Sequence, residues 1–297
     1  MIFPDSYFED EVREGFYVPG LMKRAWAAQL EVFDCVREIC EKHHIRYFAE
    51  WGTLLGTIRH GGRILWDDDL DLCMLREDYN QFRSVASQEL PEECWFLDNL
   101  SSEEFDNPVS RVINSRVYVL EGEALEKYHG FPYVAGVDIF WLDNLPPTKA
   151  EEKELHRRVR FLYAFIDKIK CGEFTPGASG VQEMNYYLQK MESDWNVSFD
   201  RNRPIKPQLY ALLEKMCSSY TTEEVRELTN IPVWAVDFEY RLSKECFSRQ
   251  IKFPFENTEI MVPAGYYELL KNNYGDNWMK PVRSGGAHEY PTFKKQQ

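Results

Sequence analysis

Three aspartates stand where alternation with apolar residues would put them on one side of a sheet. The run Asp69-Leu70-Asp71-Leu72-Cys73-Met74 has the two-residue period of a half-buried strand, which sets Asp69 and Asp71 on one face roughly 6–7 Å apart. Carboxylates that close repel each other unless a cation lies between them. Hard oxygen ligands with no His or Cys partner favour Mg²⁺ or Mn²⁺ over zinc. Gly136-Val137-Asp138-Ile139-Phe140 offers a third aspartate in the same alternating setting. Asp69, Asp71 and Asp138, on two neighbouring strands, would form a metal cradle for phosphoryl transfer, a reaction catalysed largely by positioning and charge neutralisation. Asp67-Asp68-Asp69 alone reads as a solvated turn, but the apolar flanks Ile64-Leu65-Trp66 and Leu70, Leu72 and Met74 leave it no water on every side. A calcium loop would need glycine where Leu72 stands.

Upstream, Gly52-Thr53 opens a helix, and the free N–H groups of a helix start can hold a phosphate. Arg59, His60 and Arg63 lie between that turn and the acidic strand, as the nearest cations for a diphosphate; their other reading is surface salt bridges. Arg111 and Arg116 precede another strand in a similar way. Trp51, Trp66 and Trp141 read as core residues before they read as a cage for a quaternary amine.

The elements that position these residues follow from periodicity. Met22, Trp26, Leu30, Phe33, Val36 and Cys40 recur at spacings of three and four and mark one stripe of a helix over Leu21 to Ile45. Arg46 to Trp51 reads as a short strand, Thr53 to Gly61-Gly62 as a helix, and Arg111 to Leu120 and Gly136 to Leu142 as further strands. After Pro146-Pro147 the pattern turns helical, over Glu151 to Lys170, Glu183 to Met191, Gln208 to Cys217 and Thr222 to Thr229, with a last helix between Pro263 and Gly275. The fold class is therefore α/β (α+β), with a short mixed sheet flanked by helices and a mostly helical C-terminal half.

The chain has 297 residues, 44% of them hydrophobic, enough for a well-buried core. Its net charge of -14 argues against nucleic-acid binding, and means that an anionic substrate must be met by a bound cation or by local arginines. No apolar run is long enough to span a bilayer, and no signal segment is visible. Seven scattered cysteines without a CxxC pair suggest reduced thiols and a cytoplasmic setting.

The run WGTLLGTIRHGGRILWDDDLDLCMLREDY, Trp51 to Tyr79, resembles the LicD family, which includes bacterial phosphocholine transferases and relatives of fukutin-related protein. Val137-Asp138-Ile139-Phe140-Trp141-Leu142-Asp143 is similar to the family's second block, with Trp141 where proline is usual. Val262-Pro263, Tyr274-Gly275-Asp276, Pro281 and His288 are similar to a third. The resemblance runs from residue 51 to 288 and leaves residues 1–20 uncovered. It implies a nucleotidyltransferase fold, with an N-terminal extension (1–20), a catalytic core (21–145) and a mostly helical region (146–297) on the acceptor side. It also implies a CDP-alcohol donor, CDP-choline foremost, a glycan or lipid-linked saccharide acceptor, and CMP as leaving group. Asp69, Asp71 and Asp138 would hold Mg²⁺, with Mn²⁺ as a substitute. Asp138 would also face the acceptor hydroxyl, and Gly52, Thr53, Arg59, His60 and Arg63 would bind the donor. Two rivals are a nucleotide-sugar glycosyltransferase with an Asp-x-Asp metal site, and a non-catalytic glycan- or nucleotide-binding module.

Overall fold

A computed structural model of the chain describes residues 1–100, 105, 107–174, 178–221 and 225–282. The described chain opens with a hairpin of β1 (Glu11–Arg13) and β2 (Phe16–Val18), followed by the long helix α1 (Gly20–His43). All six residues of the expected α1 stripe are buried. Each large apolar side chain buried this way stabilises the fold by roughly 1.5–3 kcal/mol before the entropy of ordering it is subtracted.

The sheet is then assembled from β3 (Phe48–Ala49), helix α2 (Trp51–His60), β4 (Asp71–Leu75), helix α3 (Arg76–Glu89), β5 (Trp95–Leu97), β6 (Ser110–Ile113), a short helix α4 (Glu123–Lys127) and β7 (Gly136–Asn144). The strand path is β3-β4-β7-β6-β5, with β4 and β7 parallel and the other neighbours antiparallel. This is the mixed sheet flanked by helices that the sequence suggests. Leu72, Cys73, Met74, Val137 and Ile139 are fully buried at its centre, as expected of paired parallel strands covered on both faces.

Contacts divide the chain into two compact units. One holds residues 1–97, 109–142 and everything from 243 on; the other holds 98–108 and 143–242. In the second, the last residues of β7 pair with β8 (Glu227–Thr229) through Asp143↔Thr229 and Asn144↔Leu228. Helices α5 (Lys149–Lys170), α6 (Ala178–Trp195), α7 (Ile205–Cys217) and α8 (Ile231–Val236) bury Leu155, Val159, Leu162, Leu188, Leu209 and Trp234 in a core of their own. Beyond β9 (Leu242–Ser243) the chain returns to the first unit with the hairpin β10 (Gln250–Phe255) and β11 (Thr258–Pro263) and helix α9 (Tyr266–Tyr274).

Several expectations need correction. Glu227–Thr229 is a strand rather than the end of a helix, because its backbone completes the edge of β7; residues 222–224 of that expected helix lie outside the described residues. The strand expected over Arg111 to Leu120 stops at Ile113. There Asn114 turns away, its N–H donating to the carbonyl oxygen of Ala135 (3.1 Å) while its own side-chain oxygen accepts from the Ala135 N–H (2.8 Å). Besides its helices the C-terminal half carries a β-hairpin, and the chain rejoins the first unit at Ser243. His288 lies outside the described residues.

Candidate active site

The acidic run is fixed by its carbonyl oxygens. Trp26 Nε1 on α1 donates to the Asp67 carbonyl (3.2 Å), and Gln29 Nε2, one turn along, donates to that of Asp68 (2.7 Å). Arg63 Nη1 donates to the Asp69 carbonyl (3.0 Å), and the Asp138 N–H donates to that of Leu70 (2.9 Å). These bonds explain a difference from the expected strand. β4 begins at Asp71 and not at Asp69, because the carbonyls of residues 67–69 are taken by side chains and only from Leu70 onward does a neighbouring strand take over. With the backbone acceptors satisfied on one side, the side chains of this run converge. One oxygen each from Asp67, Asp68 and Asp69 lies within 4.8 Å of the others, a donor set of carboxylates alone that suits a hard divalent cation.

Asp71 and Asp138 are brought together by register. They face each other across the parallel β4–β7 pair, and Arg111 faces Asp138 across the antiparallel β7–β6 pair. Three neighbouring strands thus carry Asp71, Asp138 and Arg111 in a row. The Arg111 guanidinium grips the Asp138 carboxylate as a fork, Nη2 to Oδ2 at 2.6 Å and Nε to Oδ1. Burial, followed by the fields of Asp69, Asp138, Asp67 and Glu50, raises the Asp71 carboxyl well above the usual range. Burial also raises Asp138, against the hydrogen bonds and charge of Arg111, which pull it down. A cation among these carboxylates would relieve the repulsion that raises Asp71.

Beside them opens a cavity of about 160 Å³. Asp68, Asp69, Asp138 and Arg111 line its charged side, while Ala25, Leu70, Phe131, Val134 and Ala135 form an apolar wall. Arg111 is the one cation among the described residues that line it.

The residues expected to bind a donor are spread more widely. Gly52 lies against the Asp67 carboxylate, so closely that a Cβ there would collide with Oδ2. Thr53 is buried, and its hydroxyl accepts from the Asp71 N–H (2.8 Å) at the start of β4. Arg63 is 4% exposed, with its guanidinium between the rings of Trp26 and Phe255. Arg59 Nη1 donates to the Trp278 carbonyl (3.0 Å), and Arg59 Nε to His60 Nε2 (2.9 Å), at the end of α2. None of these five lines the cavity. Trp51 packs edge-on to Phe140, Trp66 to Phe16, and Trp141 against Tyr79, in three separate places.

Sequence reasoning missed the roles of Trp26 and Gln29, read only as part of an amphipathic helix, and that of Glu50. Glu50 is 3% exposed; burial, only partly offset by bonds from Cys73 and the Trp51 N–H, pushes its carboxyl up to about 7. A charged residue at the end of an otherwise apolar strand, immediately before the helix start, was the available signal.

Residues 44–144 match the family model LicD/FKTN/FKRP, nucleotidyltransferase domain. Over most of its length the chain is similar to "Lipopolysaccharide cholinephosphotransferase LicD" of Haemophilus influenzae, 27% identical over 263 residues that cover 85% of this chain and 89% of the relative. Two uncharacterized rickettsial proteins match shorter stretches. The one from Rickettsia typhi is 34% identical over 86 residues, 29% of this chain and 23% of its own. The one from Rickettsia prowazekii is 43% identical over 51 residues, 17% of this chain and 19% of its own. The matched span contains the Gly-Thr helix start, the acidic run, Arg111 and Asp138, and the chain therefore carries a LicD-family domain over residues 44–144.

Proposed function

We propose that the chain is a transferase that moves a phospho-alcohol group, phosphocholine foremost, from a CDP-alcohol to a hydroxyl of a glycan or lipid-linked saccharide, releasing CMP. The observation that carries this reading is the meeting of five aspartates and one arginine beside a cavity, inside a domain of the family to which a cholinephosphotransferase belongs. A nucleotidyltransferase fold for the core and Mg²⁺ or Mn²⁺ as cofactor are parts of the same reading. The bound cation would neutralise the phosphates and draw charge from the leaving CMP.

The chain's own residues do the rest. Asp69 and Asp71, with Asp138, would hold the cation, beside the converging carboxylates of Asp67 and Asp68. The acceptor oxygen attacks the phosphorus that bears the alcohol, the bond from that phosphorus to the CMP oxygen breaks, and the hydroxyl proton passes to Asp138. General base help of this kind is worth about 10²–10⁴-fold. No described helix is long and apolar enough to cross a membrane. All seven cysteines are free thiols, which supports the expected cytoplasmic setting.

A donor screen tests the reading: CDP-choline, CDP-ethanolamine and UDP- and GDP-sugars, each with an oligosaccharide acceptor, with and without Mg²⁺. Metal-dependent release of CMP is expected. Release of UDP or GDP with sugar transfer would favour a glycosyltransferase, and binding without turnover a non-catalytic module. Asp69→Asn should lose both donor binding and transfer, whereas Asp138→Asn should keep donor binding and lose transfer.

A further inference from the structure

The geometry points to Arg111 as the residue that grips the donor's phosphates, held in reserve as the counter-ion of Asp138 until cation and donor arrive. This rests on the reading above for the identity of the donor, but not for the anion chemistry.

Three carboxylates and one guanidinium line the cavity, leaving two negative charges on its wall, which a single divalent cation would cancel. An entering diphosphate still needs a donor of hydrogen bonds in the right plane. The fork of a guanidinium fits a carboxylate and a phosphate equally well, so the group that now grips Asp138 through two parallel bonds is already shaped for the ligand.

The other described arginines near the acidic run are committed elsewhere. Arg63 lies under the run between two rings with one N–H on the Asp69 carbonyl, and Arg59 is turned to the Trp278 carbonyl and His60. Lys23 and Arg24 on α1 face Glu11 and the His129 carbonyl. Among the described residues, Arg111 alone combines access with reach. Its side chain is 37% exposed, against 13% for the carboxylate that it holds, and it lines the cavity beside Asp68 and Asp69.

The grip also explains why Asp138 stands outside the carboxylate trio. Asp67, Asp68 and Asp69 converge, while Asp138 is turned to the neighbouring strand by its fork with Arg111. Exchange of partners would free Asp138 to join the cation and receive a proton while Arg111 takes the phosphate. No bond need form or break in that exchange except hydrogen bonds.

The experiment uses Mn²⁺ alone and inorganic pyrophosphate as probes, so it does not depend on which alcohol the donor carries. Mn²⁺ binding is measured by electron paramagnetic resonance without nucleotide. Pyrophosphate binding is measured by calorimetry at saturating Mn²⁺, on the full chain, on Arg111→Gln and on Arg111→Lys, with melting curves beside each. Loss of a charge-assisted fork should weaken pyrophosphate by about tenfold or more in Arg111→Gln, with Arg111→Lys between it and the parent. Mn²⁺ alone should bind Arg111→Gln tighter than the parent, because Asp138 is no longer occupied.

Unchanged pyrophosphate affinity in Arg111→Gln, or a parent that binds none, overturns the proposal. So does weaker Mn²⁺ binding together with a lowered melting point, which would make Arg111 only a prop for Asp138. A parent that binds pyrophosphate through Arg111 yet releases CMP from no CDP-alcohol would sink the proposed reaction and leave this inference standing.

Discussion

Gly52 shows how much one missing methyl can decide. The glycine lies where a Cβ would collide with the carboxylate oxygen of Asp67, so the helix start and the acidic run can approach only because no side chain intervenes. In Gly52→Ala the obstacle is the end of a side chain, which can swing aside, and alanine gains up to about 1 kcal/mol over glycine in a helix. Melting should therefore change little. Transfer should fall by about 10²-fold, since an ångström of displacement at a reacting site costs that much. Thermal melts beside turnover check this, and a large loss of stability would refute it. Glu50 supplies the pH dependence. Its native carboxyl titrates near 7 against 4.5 unfolded, so between those values the native state binds more protons and stability falls as pH rises. The loss amounts to about 3 kcal/mol above pH 7. Urea midpoints of the metal-free protein at pH 5 and pH 8 should move apart less in Glu50→Gln than in the parent. The sequence displayed the types of these residues but not their surroundings. Arg63 reads in the sequence as a cation for a diphosphate or for a surface salt bridge, and only packing shows it buried beside two rings.

At the scale of elements, α1 holds the acidic run from below. Gln29 is 8% exposed, and its amide donates to the Asp68 carbonyl, so Gln29→Leu keeps the volume but leaves a buried acceptor without its donor. A cost of about 1–3 kcal/mol is expected, together with weaker Mn²⁺ binding, because the loop would no longer hold Asp68 beside Asp67 and Asp69. Unaltered Mn²⁺ affinity would show that the other carbonyl anchors suffice. The helix itself was plain in the sequence, since its stripe, Met22 to Cys40, runs for about five turns. The start of β4 was not, because the groups that capture the carbonyls of 67 and 68 come from about forty residues upstream and leave no local mark. The β10–β11 hairpin was hidden for a different reason. Pro254 lies inside its first strand, and the two-residue connection places Glu256 in the left-handed region at φ 53°, where glycine or asparagine is the usual sign of a hairpin.

At the scale of the whole molecule, the division into two units separates chemistry from bulk. Every aspartate of the candidate site, Arg111 and the elements that anchor them belong to the unit of residues 1–97, 109–142 and 243 on; the helices α5 to α8 belong to the other, with a separate core. The sequence marks the change of character after Pro146-Pro147, through those prolines and the helical period that follows. It does not mark the return at Ser243, which depends on contacts between residues far apart in the chain. If the carboxylates hold a cation, its binding energy must appear as stability in the first unit. A ligand at a hundred times its dissociation constant adds about 2.7 kcal/mol to the structure that binds it. Hydrogen exchange with chelator and with saturating Mn²⁺ should therefore slow in α2, in β4 and in the first half of β7. Exchange in α5 and α7 should stay as it was. Equal slowing in both units would mean that the metal acts through general screening of the -14 charge rather than at one site. Magnesium and an equivalent ionic strength of potassium chloride separate the two, because screening follows ionic strength while a carboxylate site follows the divalent ion alone.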